Sequence, residues 1–390
     1  LGLANSGTVR TAKGSVAKHI KGKTGDLGTW ARRKARVGRA QCRGDQISHG
    51  ILTDKCPSLG KGVPPMGIIG VAGWHKPENH RKAPLDCENT TLTPLKDTAM
   101  FTATLLTSPA RPVLDRALVV SVRNAWGGGD AVWLDPGVAA EFAVQAMPAN
   151  RWDVWQSLQG LGIDLLVQPS TGRRKRLLIA DMDSTMIQQE CIDELADEAG
   201  LGTHVAGITA RAMNGELEFE EALRERVGLL AGLPEAVIGR VIRDRITMMP
   251  GARELVATMK ANGAFAALVS GGFTAFTARV AEELGFDESR ANTLMIENAV
   301  LTGKVAEPIL GRAAKVQALE QISSRLGISV ADAIAVGDGA NDLGMLARAG
   351  AGVALHAKPS VAAQCDLRVN HGDLTALLFL QGYAREEFVV

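Results

Sequence analysis

Four apolar runs of strand length, at 177–180, 264–269, 333–336 and 352–355, are separated by helix-like stretches. The first three end directly in polar motifs, namely Asp181, Ser270 and Gly337-Asp338. Short, wholly apolar strands alternating with helices indicate a parallel sheet covered on both faces, hence an α/β fold. Ligands of open α/β sheets sit beyond the carboxyl ends of the strands. Three strand ends therefore deliver polar groups to one crevice.

Upstream the texture differs. Residues 101–106 are β-prone, 113–124 can form an apolar-faced helix, and Trp126-Gly127-Gly128-Gly129-Asp130 is a turn before strand-like 131–134. Helix-like runs flank 147–151 on both sides, 161–167 reads as a strand, and 171–176 is a basic linker. Residues 100–175 thus hold the elements of a small α+β domain, in which a regulatory role is one option. All six tryptophans lie before position 156.

Residues 1–99 carry 17 Lys+Arg against 7 Asp+Glu, a local +10 hidden in the overall +1. They show no period of 2 or 3.6, and the chain opens on Leu1. A disordered or non-native extension is expected there, with the native protein starting at Met100. A basic, acid-poor start also suits a transit peptide or a nucleic-acid-binding arm. Aromatic interleaving and nucleic-acid motifs are missing, so no nucleic-acid partner is expected. Cys42, Cys56, His75, His80 and Cys87 fit no usual zinc finger. Five irregularly spaced cysteines argue for reduced thiols in a cytoplasmic protein. No run approaches about 18 apolar residues, so no membrane span is expected.

The motifs themselves suit phosphoryl chemistry. In Asp181-Met182-Asp183-Ser184-Thr185 two carboxylates stand two residues apart just past a strand. One can attack phosphorus while the other serves the leaving oxygen as acid and the incoming water as base. Alone, the run could equally be a capped turn. Asp338 and Asp342 in Gly337-Asp338-Gly339-Ala340-Asn341-Asp342 add hard oxygen ligands suited to Mg²⁺. Ser270-Gly271-Gly272 lets backbone N–H groups approach a phosphate, and Lys315 offers a point charge to a phosphoryl group.

This set, in this order, resembles the haloacid dehalogenase superfamily, whose fold is a Rossmann-like core with a parallel sheet and a cap. The insert at about 187–250, with Ala212-Met213-Asn214-Gly215-Glu216-Leu217-Glu218-Phe219 and Leu223-Arg224-Glu225-Arg226-Val227, looks like the helical cap of phosphoserine phosphatases. The likeness spans roughly residues 177–385, and 298–305, with Thr302-Gly303 as its turn, resembles the family's flap hairpin. The core domain is therefore expected over 176–390.

The resemblance implies a phosphoric monoester hydrolase that converts O-phospho-L-serine to L-serine and phosphate, the last step of serine biosynthesis. It implies Asp181 as nucleophile, Asp183 as acid/base, and Ser270, Gly271, Lys315 and Asn341 as phosphate contacts. Glu190 would receive the ammonium and Arg226 the carboxylate, with Met213, Phe219 and Gly272 around the substrate. Mg²⁺ would be held by Asp181, the backbone carbonyl of Asp183, Asp338 and Asp342. Alternatives are a phosphatase or phosphotransferase for another small phosphate such as phosphohomoserine, or a ligand- or nucleic-acid-binding regulator working through residues 1–175. The oligomeric state is open, a homodimer being one option.

Overall fold

The structure, a computed structural model, describes residues 101–390 except 214 and 215. The expectations for residues 1–99 and for Met100 as a start fall outside the described residues.

Residues 101–169 form an antiparallel sheet of four strands: β1 (Phe101–Thr107), β2 (Val132–Asp135), β3 (Ala139–Val144) and β4 (Ile163–Pro169), in the order β2-β3-β1-β4. Helices Arg116–Ala125 and Arg151–Gln159 pack on one face. The first is capped by Asp115, whose carboxylate accepts the N–H of Leu118 at 2.8 Å. Strand side chains alternate between faces. Ala103, Leu105, Ile163, Leu165 and Val167 face these helices, whereas Leu106 and Leu166 join the core of the larger body. Both faces are therefore covered, which explains why nearly every residue of β1 and β4 is buried.

Three expectations fail. The run before Met147 is strand β3, not a helix. Its Ala-Ala-Glu-Phe-Ala-Val sequence favours helix locally, but pairing with β1 from Phe101↔Val144 to Leu106↔Ala139 overrides propensity, and small alanines fit a closely packed sheet.

The larger body is a parallel sheet of six strands: β5 (Leu177–Ala180), β6 (Phe265–Phe273), β7 (Glu288–Asn292), β10 (Ala333–Gly337), β11 (Ala351–Leu355) and β12 (Leu367–Val369). The order is β12-β11-β10-β5-β6-β7, and β8 (Leu294–Glu297) pairs with β9 (Val300–Val305) as a separate hairpin. Here the second expectation fails. The hairpin turns at Asn298-Ala299, both with positive φ (51° and 60°), while Thr302-Gly303 lies inside β9. Two left-handed residues match the twist of a tight hairpin, and Asn tolerates that conformation. Strand β6 also runs on through Ser270-Gly271-Gly272 instead of ending at Val269.

Register places the chemistry. Ala180 stands beside Val336 on one side and Leu268 on the other, so the chain leaves β5, β6 and β10 at neighbouring points. Between β5 and β6 lie helices Cys191–Glu198, Gly202–Met213, Phe219–Gly228 and Ala236–Asp244. This insert leaves and rejoins the body as a narrow pair of strands bridged at Ile187↔Met248.

The small domain is tied to the body by polar contacts. Gln168 Nε2 donates to the Leu380 carbonyl, as does Arg173 Nε at 3.0 Å while its Nη1 holds Glu141, and the Arg368 guanidinium stacks on Trp152 and Trp155 at 3.9 and 5.4 Å. No helix of the described residues is long and apolar enough to cross a membrane.

Candidate active site

Asp181 follows β5 and is buried, its backbone N–H donating to the Val336 carbonyl at 3.0 Å. Its Oδ1 accepts the N–H of Met182 at 2.7 Å, and its Oδ2 lies 2.7 Å from Lys315 Nζ. Lys315, in the first turn of helix Arg312–Leu326, is fully buried and also reaches Asp342 Oδ1 at 2.6 Å. Burial lowers the pKa of its ammonium, but Asp181 and Asp342 outweigh that and raise it.

The loop after β5 closes on itself. Thr185, Met186 and Ile187 donate their N–H groups to the Met182 carbonyl, and Ser184 sits in the left-handed region at φ 52°. This tight turn aims Asp183 back at the strand ends. Asp183 Oδ1 accepts the N–H of Cys191 at 3.0 Å, and its Oδ2 faces Ser270 Oγ at 3.4 Å. Burial, reinforced by the charge of Asp181, pushes Asp183 up to about 6. Ser270 Oγ in turn accepts the Gly272 N–H at 2.9 Å.

Oxygens of Asp181, Asp338 and Asp342 lie within 4.8 Å of one another, all buried. Asp342 Oδ2 accepts the Gly339 N–H at 3.1 Å, and Thr185 Oγ1 donates to Asp338 Oδ1 at 3.4 Å. Asp338 Oδ2 and Asn341 Oδ1 are buried with no hydrogen-bond partner among the described residues, Lys358 Nζ standing 3.6 Å from the former. Burial and then Asp181 push Asp338 up to about 7, and the same causes hold Asp342 well above the usual carboxylate range. Crowded buried carboxylates with an orphaned oxygen are the environment that a hard cation relieves. The donor set fits a divalent metal.

The helical insert roofs this floor. Phe219 lies directly over Gly271, where a Cβ would meet its ring at 2.6 Å. Arg226 is 3% exposed, and its Nε and Nη1 donate to the Ala222 carbonyl and Thr209 Oγ1, each at 3.0 Å. The Thr209 hydroxyl donates in turn to Asp193 Oδ1 at 2.6 Å. Half-buried Glu190 accepts Ser184 Oγ–H at 2.6 Å, and burial followed by the charge of Asp183 holds it well above the ordinary range. Asp181, Asp183, Gly271, Gly272 and Asn341 thus meet Glu190, Phe219 and Arg226 around one pocket with only about 20 Å³ of free space. Such a volume holds roughly one water.

Of the sequence-identified residues, all but one are gathered here. Met213 ends its helix, and the expectation for its side chain falls outside what the structure describes. Thr185 lies in the Asp181–Thr185 run but was given no role, whereas Lys358, Thr209 and the Cys191 N–H were missed because none stands in a motif with a chemical signature of its own.

Residues 178–347 match the haloacid dehalogenase-like hydrolase family. A phosphoserine phosphatase of Archaeoglobus fulgidus is 47% identical over 246 residues, covering 62% of this chain and 71% of the relative. The chain belongs to the phosphoserine phosphatase family of haloacid dehalogenase-like hydrolases. A solved phosphoserine phosphatase carrying a phospho-aspartyl intermediate analogue matches with TM-score 0.51 and 41% identity, over 53% of this chain and 98% of that one. A probable phosphoserine phosphatase of Vibrio cholerae, solved unliganded, matches with TM-score 0.59 and 32% identity. That alignment covers 75% of this chain and 88% of the other, more than residues 177–390 alone can supply. Membership in the family makes this chain a phosphatase.

Proposed function

We propose that the enzyme hydrolyses O-phospho-L-serine through a phosphorylated Asp181. Asp181 attacks phosphorus while Asp183 protonates the departing serine oxygen. Asp183, now a base, then takes a proton from water, which attacks the phosphoryl group and frees Asp181 with release of phosphate. An acid held at about 6 can serve both directions near neutrality. Ser270 and the N–H group of Gly271, with Lys315 and Asn341, would hold the phosphoryl oxygens. Asp181, Asp338, Asp342 and the Asp183 carbonyl would hold Mg²⁺, which when bound neutralises carboxylate and phosphate charge that would otherwise repel one another.

The observation that carries the substrate class is the pairing of Glu190 and Arg226 in the roof of one small pocket whose floor holds Asp181. An acid and a guanidinium presented together complement the ammonium and carboxylate of an amino acid. Phe219 excludes water above the reacting phosphorus.

The test is Asp181→Asn, expected to abolish phosphate release, together with acid quenching of the wild type during turnover to find the phosphoryl group on the Asp181 peptide. Wild-type turnover by purified Asp181→Asn would overturn the mechanism. Equal rates on phosphoserine and on phosphates lacking the amino-acid moiety would overturn the substrate.

A further inference from the structure

We propose that Asp164, contributed by the small domain, is a positioning residue for the metal-binding end of the active site, acting through the 370–372 turn and His356 on Lys358 and Asp338. The inference rests on the reading of Asp338 as a metal ligand.

Asp164 sits near the start of β4, on the face that points away from the small domain's own helices, and is wholly buried. Its carboxylate spends its capacity on the other body. Oδ1 accepts the N–H of Asn370, and Oδ2 accepts those of His371 and Gly372, all at 2.9 Å. Three backbone donors on one buried carboxylate fix the turn that follows β12. Asn370 Nδ2 adds a bond to Gln159 Oε1 at 2.8 Å.

The turn then fixes His356. The Gly372 carbonyl accepts the His356 Nε2–H at 2.7 Å, and the His356 N–H donates to the Val369 carbonyl at 2.8 Å. His356 has φ 46°, a left-handed conformation that a non-glycine residue keeps only where its surroundings over-determine it. It ends β11 and re-aims the chain toward the site. Two residues on, Lys358 donates its N–H to the Asp338 carbonyl at 3.3 Å and places Nζ 3.6 Å from Asp338 Oδ2. The path from Asp164 to the orphaned carboxylate oxygen is therefore continuous, each step a hydrogen bond, an ion pair or a short stretch of chain.

The same segment touches the base of the cap. Leu374 donates its N–H to the Pro250 carbonyl at 3.1 Å, and a Cβ on Gly251 would strike the Thr375 nitrogen at 2.7 Å. Residues 370–375 thus join the small domain, the Asp338 side of the site and the point where the cap re-enters the body.

The test uses the full chain, stripped of metal and titrated with Mn²⁺ by calorimetry, with steady-state kinetics in parallel. Asp164→Ala and His356→Asn, the latter keeping a residue that tolerates positive φ, should each weaken Mn²⁺ binding and lower kcat by roughly tenfold, the scale seen when outer partners of metal ligands are removed. KM for phosphoserine should stay within about twofold, because Glu190 and Arg226 are untouched. Glu141→Gln, which breaks the Arg173 pair at the same seam, should leave both quantities near wild type. The double variant should be no worse than either single one, as expected for residues on one path. Folded Asp164→Ala and His356→Asn proteins with wild-type Mn²⁺ affinity and kcat would overturn the inference, and so would an equal loss in Glu141→Gln. If Asp164→Ala fails to fold, His356→Asn decides: weakened Mn²⁺ binding supports the path and unchanged binding refutes it. A wild-type chain that binds no Mn²⁺ would remove the metal assignment and this inference together, whereas Mn²⁺ binding that all variants share would remove the inference alone.

Discussion

Replacing Arg226 by Ala offers the sharpest measurement of how the substrate is recognised. Two of the five guanidinium N–H groups are committed to Ala222 and Thr209, which leaves three for the pocket. The side chain is 3% exposed, so an incoming carboxylate would pair with it out of water. Losing one partner of such a buried, charge-assisted pair costs about 3–5 kcal/mol. At 1.4 kcal/mol per decade that is a fall of roughly 10²- to 4 × 10³-fold in kcat/KM for phosphoserine. Part of the loss would come from the emptied space under helix Phe219–Gly228, and O-phosphoethanolamine, which lacks the carboxylate, measures that part. Its kcat/KM should change only severalfold, leaving about two decades that appear only when guanidinium and carboxylate are both present. Arg226→Lys keeps the charge but not the fork and should fall between. The assay is phosphate release under kcat/KM conditions for both substrates with all three proteins. Equal losses on the two substrates would show that Arg226 supports the cap and does not read the carboxylate.

Three further outcomes follow from the same geometry. Lys315→Met should lower the stability of the metal-free protein by about 3–5 kcal/mol in denaturant titrations, since two buried carboxylates lose their counter-charge; an unchanged midpoint would count against the pairing. Gly272→Ala places a methyl on the Asp183 carboxylate and 3.1 Å from Ser270 Oγ, and should cut kcat at least tenfold while leaving the fold intact by circular dichroism. Asp183 and Asp338 titrate in the folded chain at about 6 and about 7, above their unfolded values near 3.9, so the stability they contribute is complete below about pH 4 and is lost as pH rises through 6 to 7. Metal-free protein should therefore lose stability between about pH 4 and pH 7, less so in Asp338→Asn, and metal binding should release protons in that window; a wild-type slope no different from that of Asp338→Asn would contradict this.

The sequence disclosed the larger body well because its strands are short and wholly apolar and each leads into a motif. Leu177–Ala180 reads from sequence with the boundaries it has in the structure. The site was legible for the same reason, since Asp181, Asp183, Ser270 and Asp338 announce themselves by type and spacing. What failed was decided by partners distant in the chain. Ala139–Val144 is a strand only because β1 and β2 flank it, and the hairpin turn fell to Asn298-Ala299 although Gly303 carries the stronger local turn signal. Thr209 had no local signature, its role coming from Arg226 seventeen residues on. Asp164 did leave a trace, a lone carboxylate among Ile163, Leu165, Leu166 and Val167, but its partners lie more than two hundred residues away.

The distribution of aromatic residues makes the two halves of the molecule optically distinct. With every tryptophan before residue 156 and a single tyrosine, Tyr383, in the chain, long-wavelength emission comes from the N-terminal portion while the catalytic body is dark. Two of those indoles, Trp152 and Trp155, lie under the guanidinium of Arg368, which belongs to the dark half. Their fluorescence is thus a natural gauge of docking between the halves. A change in the emission of Trp152 or Trp155 when phosphate or metal enters the pocket reports a signal that has crossed the seam.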